Sequence, residues 1–136
     1  MFDEKVELPE LERPPETVYR GEREGRLVDC FDGGLGGVRK KFAPEVFVDD
    51  PRNDVEYSLL PRRELSDSAP QASYQWGYSG HGPYLLAVSL VADAYGSDEV
   101  ALEYQTPVED LLMKYDQHEP WELEAEDLDD WIRTFE

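Results

Sequence analysis

Apolar and polar positions change rhythm along this chain, and each rhythm predicts a different element. Residues 1–16 (MFDEKVELPELERPPE) have none, because three prolines stand among charged neighbours. They read as an extended arm anchored by Phe2, Val6, Leu8 and Leu11, either a frayed terminus or a strap laid on a partner. From Thr17 to Val48 alternation takes over. TVYRGERE and GRLVDCFD predict two strands turned at Gly25, and VRKKF and EVFV predict two short edge strands after the glycine run at 33–37. Residues 49–73 carry Pro51, Pro61 and Pro70 and predict loops around one short strand at 55–60.

The period then becomes helical. Residues 83–95 are apolar nearly all round, which predicts a buried central helix opened by Pro83 and stopped by Gly96. Ser97 is placed to cap a second helix, Pro107 to interrupt or restart it, and 108–115 to supply a third. Trp121 and Leu123 alternate like a short strand. The last stretch, EAEDLDDWIRTF, puts Leu128, Trp131, Ile132 and Phe135 on one helical face. The sum is an α+β fold in which a small antiparallel sheet, mostly from residues 17–60, packs against three or four C-terminal helices. One domain at 17–136 follows the arm at 1–16, with Trp76, Leu86, Leu90, Leu112 and Trp131 in its core.

Charge changes this picture more than composition does. A net charge of −19 over 136 residues makes the surface self-repelling at low salt. Nine of the thirteen cations are arginines, and the acids are spread through every predicted element. That spread fits a protein of a salt-in haloarchaeon or its virus, where molar salt shortens the screening length to about 3 Å. An acidic mesophilic protein, including a nucleic-acid mimic or inhibitor, is the alternative. Residues 1–63 hold eleven cations against fifteen anions, and residues 64–136 hold two against seventeen. Direct contact with nucleic acid is therefore expected only through Arg39, Lys40 and Lys41, the tightest basic run. The single cysteine, Cys30, excludes an intramolecular disulfide and a thiolate metal cluster. With no signal-like or membrane-spanning run, the expected location is the host cytoplasm or a virus particle.

The block Trp76-Gly77-Tyr78, Gly80, Gly82-Pro83, Leu86-Ala87, Leu90 and Asp93 continues with Val100-Ala101, Tyr104, Trp121-Glu122-Leu123 and Trp131-Ile132. It resembles a small family of uncharacterised proteins from bacteria, haloarchaea and tailed viruses. The resemblance covers roughly residues 74–135, with weaker similarity at Val18 to Arg20. It implies architecture and no activity, and it implies a small residue at the position of His81.

Three candidate sites remain. Glycines at 77, 80 and 82 followed by a helix N-terminus form a turn suited to an anion, with Gly77, Ser79, Gly80, His81 and Gly82 as its ligand-binding residues. The competing reading makes these glycines a tight crossing with Trp76 and Tyr78 packed in the core. The two histidines, His81 and His118, are the candidates for acid–base work at neutral pH, but neither belongs to a catalytic set, so no catalytic residue is assigned. The carboxylate groups Asp49-Asp50, Glu109-Asp110 and Asp127-Asp129-Asp130 lack calcium-loop spacing, so no metal or cofactor is expected. GGLGG at 33–37 lacks the Gly-Lys-Ser/Thr ending of a phosphate loop. The leading expectation is a non-catalytic interaction protein with a protein partner or larger assembly and no membrane.

Overall fold

The computed structural model describes residues 6–31, 38–66 and 73–135. Four strands form one antiparallel sheet: β1 (Val18–Phe31), β2 (Val38–Asp50), β3 (Val55–Ser58) and β4 (Trp121–Glu124), in the order β3-β2-β1-β4. Helices α1 (Arg63–Ser66), α2 (His81–Tyr95), α3 (Asp98–Leu112) and α4 (Ala125–Arg133) complete the chain. The α+β architecture is as the patterning predicts, with the last strand drawn from the C-terminal half.

Register explains which sheet face is buried. Tyr19 lies opposite both Val48 and Leu123, and Val48 opposite Tyr57; Gly21 lies opposite both Val46 and Trp121. Opposed residues share a face, so these apolar positions pack against the helices. The alternate positions carry Arg20, Phe47, Glu122 and Ser58. There Arg20 bonds Glu22, Asp49 and Glu56 and lies over the Phe47 ring. Gly21 is required by its neighbour: a Cβ there would overlap the Trp121 indole.

Helix α2 runs through the core with eleven buried residues, and Leu86 and Leu90 have no exposure. It begins at His81, two residues before the expected proline. Pro83 falls within the first turn, where the missing amide costs no helical bond. Gly96 ends it in the left-handed conformation. Trp76 and Leu112 are also fully buried, whereas Trp131 is only partly buried and donates from Nε1 to the Pro107 carbonyl at 2.6 Å.

Several expected boundaries merge. Gly25 does not turn the chain; β1 passes straight through it, with a register shift between Glu22 and Arg26 that absorbs the irregularity. The two predicted edge strands are one strand, β2, which sits inside the sheet between β1 and β3. Pro107 does not interrupt the second helix. Helix α3 runs across it, and the residue whose carbonyl loses its donor, Glu103, is exposed and open to water. Short α1 arises in a region read as loop. The glycine run at 33–37 and residues 67–72 lie outside the described residues.

The described part of the arm, residues 6–16, has no regular structure and lies on the chain's own core. Leu8 is buried, and Val6 and Leu11 pack against the core. Glu12 and Arg13 donate backbone N–H bonds to the Ala94 carbonyl, Tyr104 donates to the Val6 carbonyl, and Arg133 to that of Pro9. The reading of this arm as a contact segment for a partner therefore loses its motivation for residues 6–16. Their apolar anchors are already used, because they pack on the core beside Ala94 of α2, Tyr104 of α3 and Arg133 of α4.

Candidate functional site

The turn ahead of α2 is built by crossing elements. Trp76 is anchored by Nε1 to the Glu119 carbonyl at 2.9 Å and meets Trp121 edge-on at 5.7 Å. Tyr115 stacks on Trp121 at 5.3 Å. Gly77 takes φ 86°, a left-handed value, and a Cβ there would overlap the Gln117 backbone; its amide bonds the Leu112 carbonyl at 3.0 Å. Both the tight-crossing requirement and the packed Trp76 are present in this geometry.

The helix end itself faces a carboxylate of the same chain. Glu109 of α3 accepts from the Ser79 hydroxyl at 2.9 Å and from the Gly80 amide at 3.4 Å. Gly80, the residue before the helix, offers no side-chain cap, so Glu109 supplies the negative charge that the positive end of α2 favours. Ser79, His81 and Tyr78 are exposed, and Gly80 and Gly82 are partly buried. The turn thus gathers Ser79, Gly80 and Glu109, while His81 stands free of them. Arg23, the arginine bonded next to this turn, donates to Gln75 at 2.8 Å and lies 5.0 Å over the Trp76 ring. Arg20 is on the opposite sheet face. Nothing is described of the Arg39 side chain.

The other candidates are dispersed. His118 is exposed beside Gln117, its amide bonded to Asp116. Asp50 closes the turn after β2 by accepting from Arg52 and Asn53. Those hydrogen bonds, Asn53's side chain foremost, lower its pKa. Asp129 accepts from Tyr95 and pairs with Arg133. Among the described residues no group of three His, Cys, Asp or Glu is placed to hold a metal ion, and no helix is long and apolar enough to cross a membrane.

Among the described residues a dense polar cluster surrounds a residue that motif reading quotes without a role. Asp93, near the end of α2, accepts from Tyr19 at 2.7 Å, from Tyr57 at 2.8 Å and from Arg13 at 3.1 Å and 3.3 Å. Arg13 also lies 5.3 Å over the Tyr57 ring. Burial, then the charge of Asp93, pushes the Tyr19 hydroxyl well above its ordinary range; Tyr57 is raised by burial and by its bond to Asp93. The signal was available: one carboxylate in LLAVSLVADA requires donors wherever that helix is buried. The cluster joins arm, sheet and helix, and all its donors meet one acceptor. A cleft of about 650 Å³ opens nearby between the arm and α4, lined by Leu8, Leu11, Arg13, Glu126, Asp130 and Arg133 among others. It lies apart from the glycine turn.

Comparison with known families decides the relationship. A family of unknown function (DUF6166) matches residues 35–134. The chain belongs to this family. The match takes in β2 through α4, hence the Trp76 turn and Asp93, and stops short of the arm and β1. No curated protein and no solved structure matches the chain.

Proposed function

We propose that this member of the family is a non-catalytic interaction or accessory protein of a haloarchaeon or its virus, working inside the host cell or in a virus particle through contact with a protein partner. The observation that carries this reading is a cross-strand pair, Leu27 and Phe42. They face each other across β1 and β2, with 54% and 56% of their surface exposed. The pair lies beyond the part of the sheet bordered by β3 and β4, so among the described residues no further strand pairs there. Two large apolar residues side by side on a ribbon with open edges suit an apolar recess on another protein. The polar groups elsewhere support the same reading, since Ser79, Gly80 and Asp93 are engaged within the chain.

Affinity purification from a haloarchaeal host at molar salt tests it. A stoichiometric protein partner is expected with the unmodified chain and should be lost when Leu27 and Phe42 are both replaced by Ser. Recovery of the same partner by both forms, or of none by either, would overturn the reading.

A further inference from the structure

The sheet ends at β4. In the order β3-β2-β1-β4 only β1 borders it among the described residues, so its other side is an open edge. The phase of the ladder decides which groups face that edge. Ala125 donates its amide to the Thr17 carbonyl, and bonded and non-bonded pairs alternate along an antiparallel pair. The pairs Tyr19–Leu123 and Gly21–Trp121 therefore carry the bonds to β1. The N–H and C=O of Glu122, and the N–H of Glu124, point away from it.

The same two residues carry the charge of this edge. Glu122 and Glu124 are exposed on one face of the sheet, and no cation pairs with either among the described residues. Glu124 precedes α4 without making a side-chain cap bond. Glu122 lies directly opposite Arg20, whose guanidinium is drawn instead to Glu22, Asp49 and Glu56 at 2.9 to 3.2 Å.

We propose that the β4 edge receives an extended segment of a protein partner as a fifth, antiparallel strand, with arginines opposite Glu122 and Glu124. Strand spacing sets the motif. The two glutamates are about 6.8 Å apart at 3.4 Å per residue, which is the repeat of alternate side chains on an incoming strand, so the segment reads Arg-x-Arg. Arg20 supplies the precedent for a guanidinium on this face, since its Nε and both terminal nitrogens each take a different carboxylate. Charge then chooses among partners. Acids on an edge repel acidic segments, including the β4 of a second copy, and admit a cationic one. Pro120, which has no N–H, and α4 bound the edge on either side and confine the contact to a few residues. Main-chain bonds do not rely on charge, so the contact survives molar salt, where a screening length of about 3 Å leaves only ion pairs in direct contact. It is separate from the Leu27 and Phe42 pair, which lies past the part of β1 that β4 borders.

Titration with the peptide Arg-Val-Arg-Val-Arg in molar KCl, followed by NMR with amide exchange, tests this. Binding is expected, and it should slow exchange of the Glu122 amide. Glu122→Gln/Glu124→Gln should weaken binding by roughly tenfold. Glu126→Gln/Asp130→Gln removes the same charge from α4 and should change affinity by less than about twofold. Methylating the main-chain nitrogens of the peptide's arginines should abolish binding with its charge intact. Leu27→Ser/Phe42→Ser should bind the peptide as the unmodified chain does. No binding, equal losses in the two amide variants, undiminished binding of the methylated peptide, or an unprotected Glu122 amide in the complex would overturn the proposal.

Discussion

The Tyr19 hydroxyl, fully buried in the sheet, donates at 2.7 Å to the carboxylate of Asp93 on the central helix. One hydrogen bond thereby ties the first strand to the element around which the core is packed. Arg13 and Tyr57 bring the arm and the third strand to the same two oxygens.

Replacing Asp93 with Ala leaves two tyrosine hydroxyls without their acceptor and an arginine without its counter-ion. The expected loss is about 3 kcal/mol, as a shift in the urea midpoint. Arg13 keeps about a third of its side chain in solvent, so Arg13→Ala should cost only about 1 kcal/mol. Equal losses for the two variants would contradict a carboxylate shared by three donors.

Alkaline pH should weaken the fold. Burial raises the hydroxyl pKa of Tyr19, Tyr57, Tyr74 and Tyr95 above the ordinary value, with Asp93 reinforcing the first three and Asp129 the last. Above about pH 10 the unfolded chain loses these protons while the folded chain retains them, so stability is intact below pH 10 and declines above it. The slope approaches about 1.4 kcal/mol per pH unit for each tyrosine. Phenolate absorbance followed alongside ellipticity would show ionisation and unfolding together; tyrosines ionising near pH 10 in a still folded chain would refute this.

Gly77→Ala should destabilise by about 2 kcal/mol or more, because the added methyl must share space with the Gln117 backbone at a left-handed φ. The test is the thermal midpoint. A neutral result would mean that the segment around Gln117 yields freely to the added methyl.

Glu109 makes a specific claim about anions. With its carboxylate at Ser79 and Gly80, phosphate should not bind the unmodified chain measurably, whereas Glu109→Ala should open the helix end to phosphate in the millimolar range. Calorimetry with inorganic phosphate decides it. Tight binding to the unmodified chain would instead favour the turn at 77–83 as a genuine ligand site.

Salt should stabilise the protein. Exposed Glu122, Glu126, Asp127 and Asp130 belong to a surface with net charge −19, and screening relieves their repulsion. The urea midpoint should rise from 0.1 M to molar KCl, and amide replacements at these four positions should reduce the salt required. A midpoint falling with salt would remove the physical ground for a halophilic origin.

Local signals in the sequence were strong where one residue type had a single job. Gly96 stops α2, Ser97 caps α3 through a bond to the Val100 amide, and the alternation at 121–124 is a strand. Long-range partners were less legible. Nothing local to Arg13 says that it reaches Asp93, eighty residues away, and nothing near Ser79 says that the anion at the turn is Glu109. Gly25 and Pro107 misled for a related reason: each is an intrinsic breaker, but pairing with β2 carries β1 past the first, and solvent tolerates the second within α3.

The strap has a consequence for how the molecule is made. The Pro9 carbonyl is held by Arg133, which is synthesised 124 positions later. At roughly 5–20 residues per second the strap waits some 6 to 25 s for that partner to be synthesised. Until then the Pro9 carbonyl lacks its donor, so this bond between the arm and α4 forms only after every helix between them has been made.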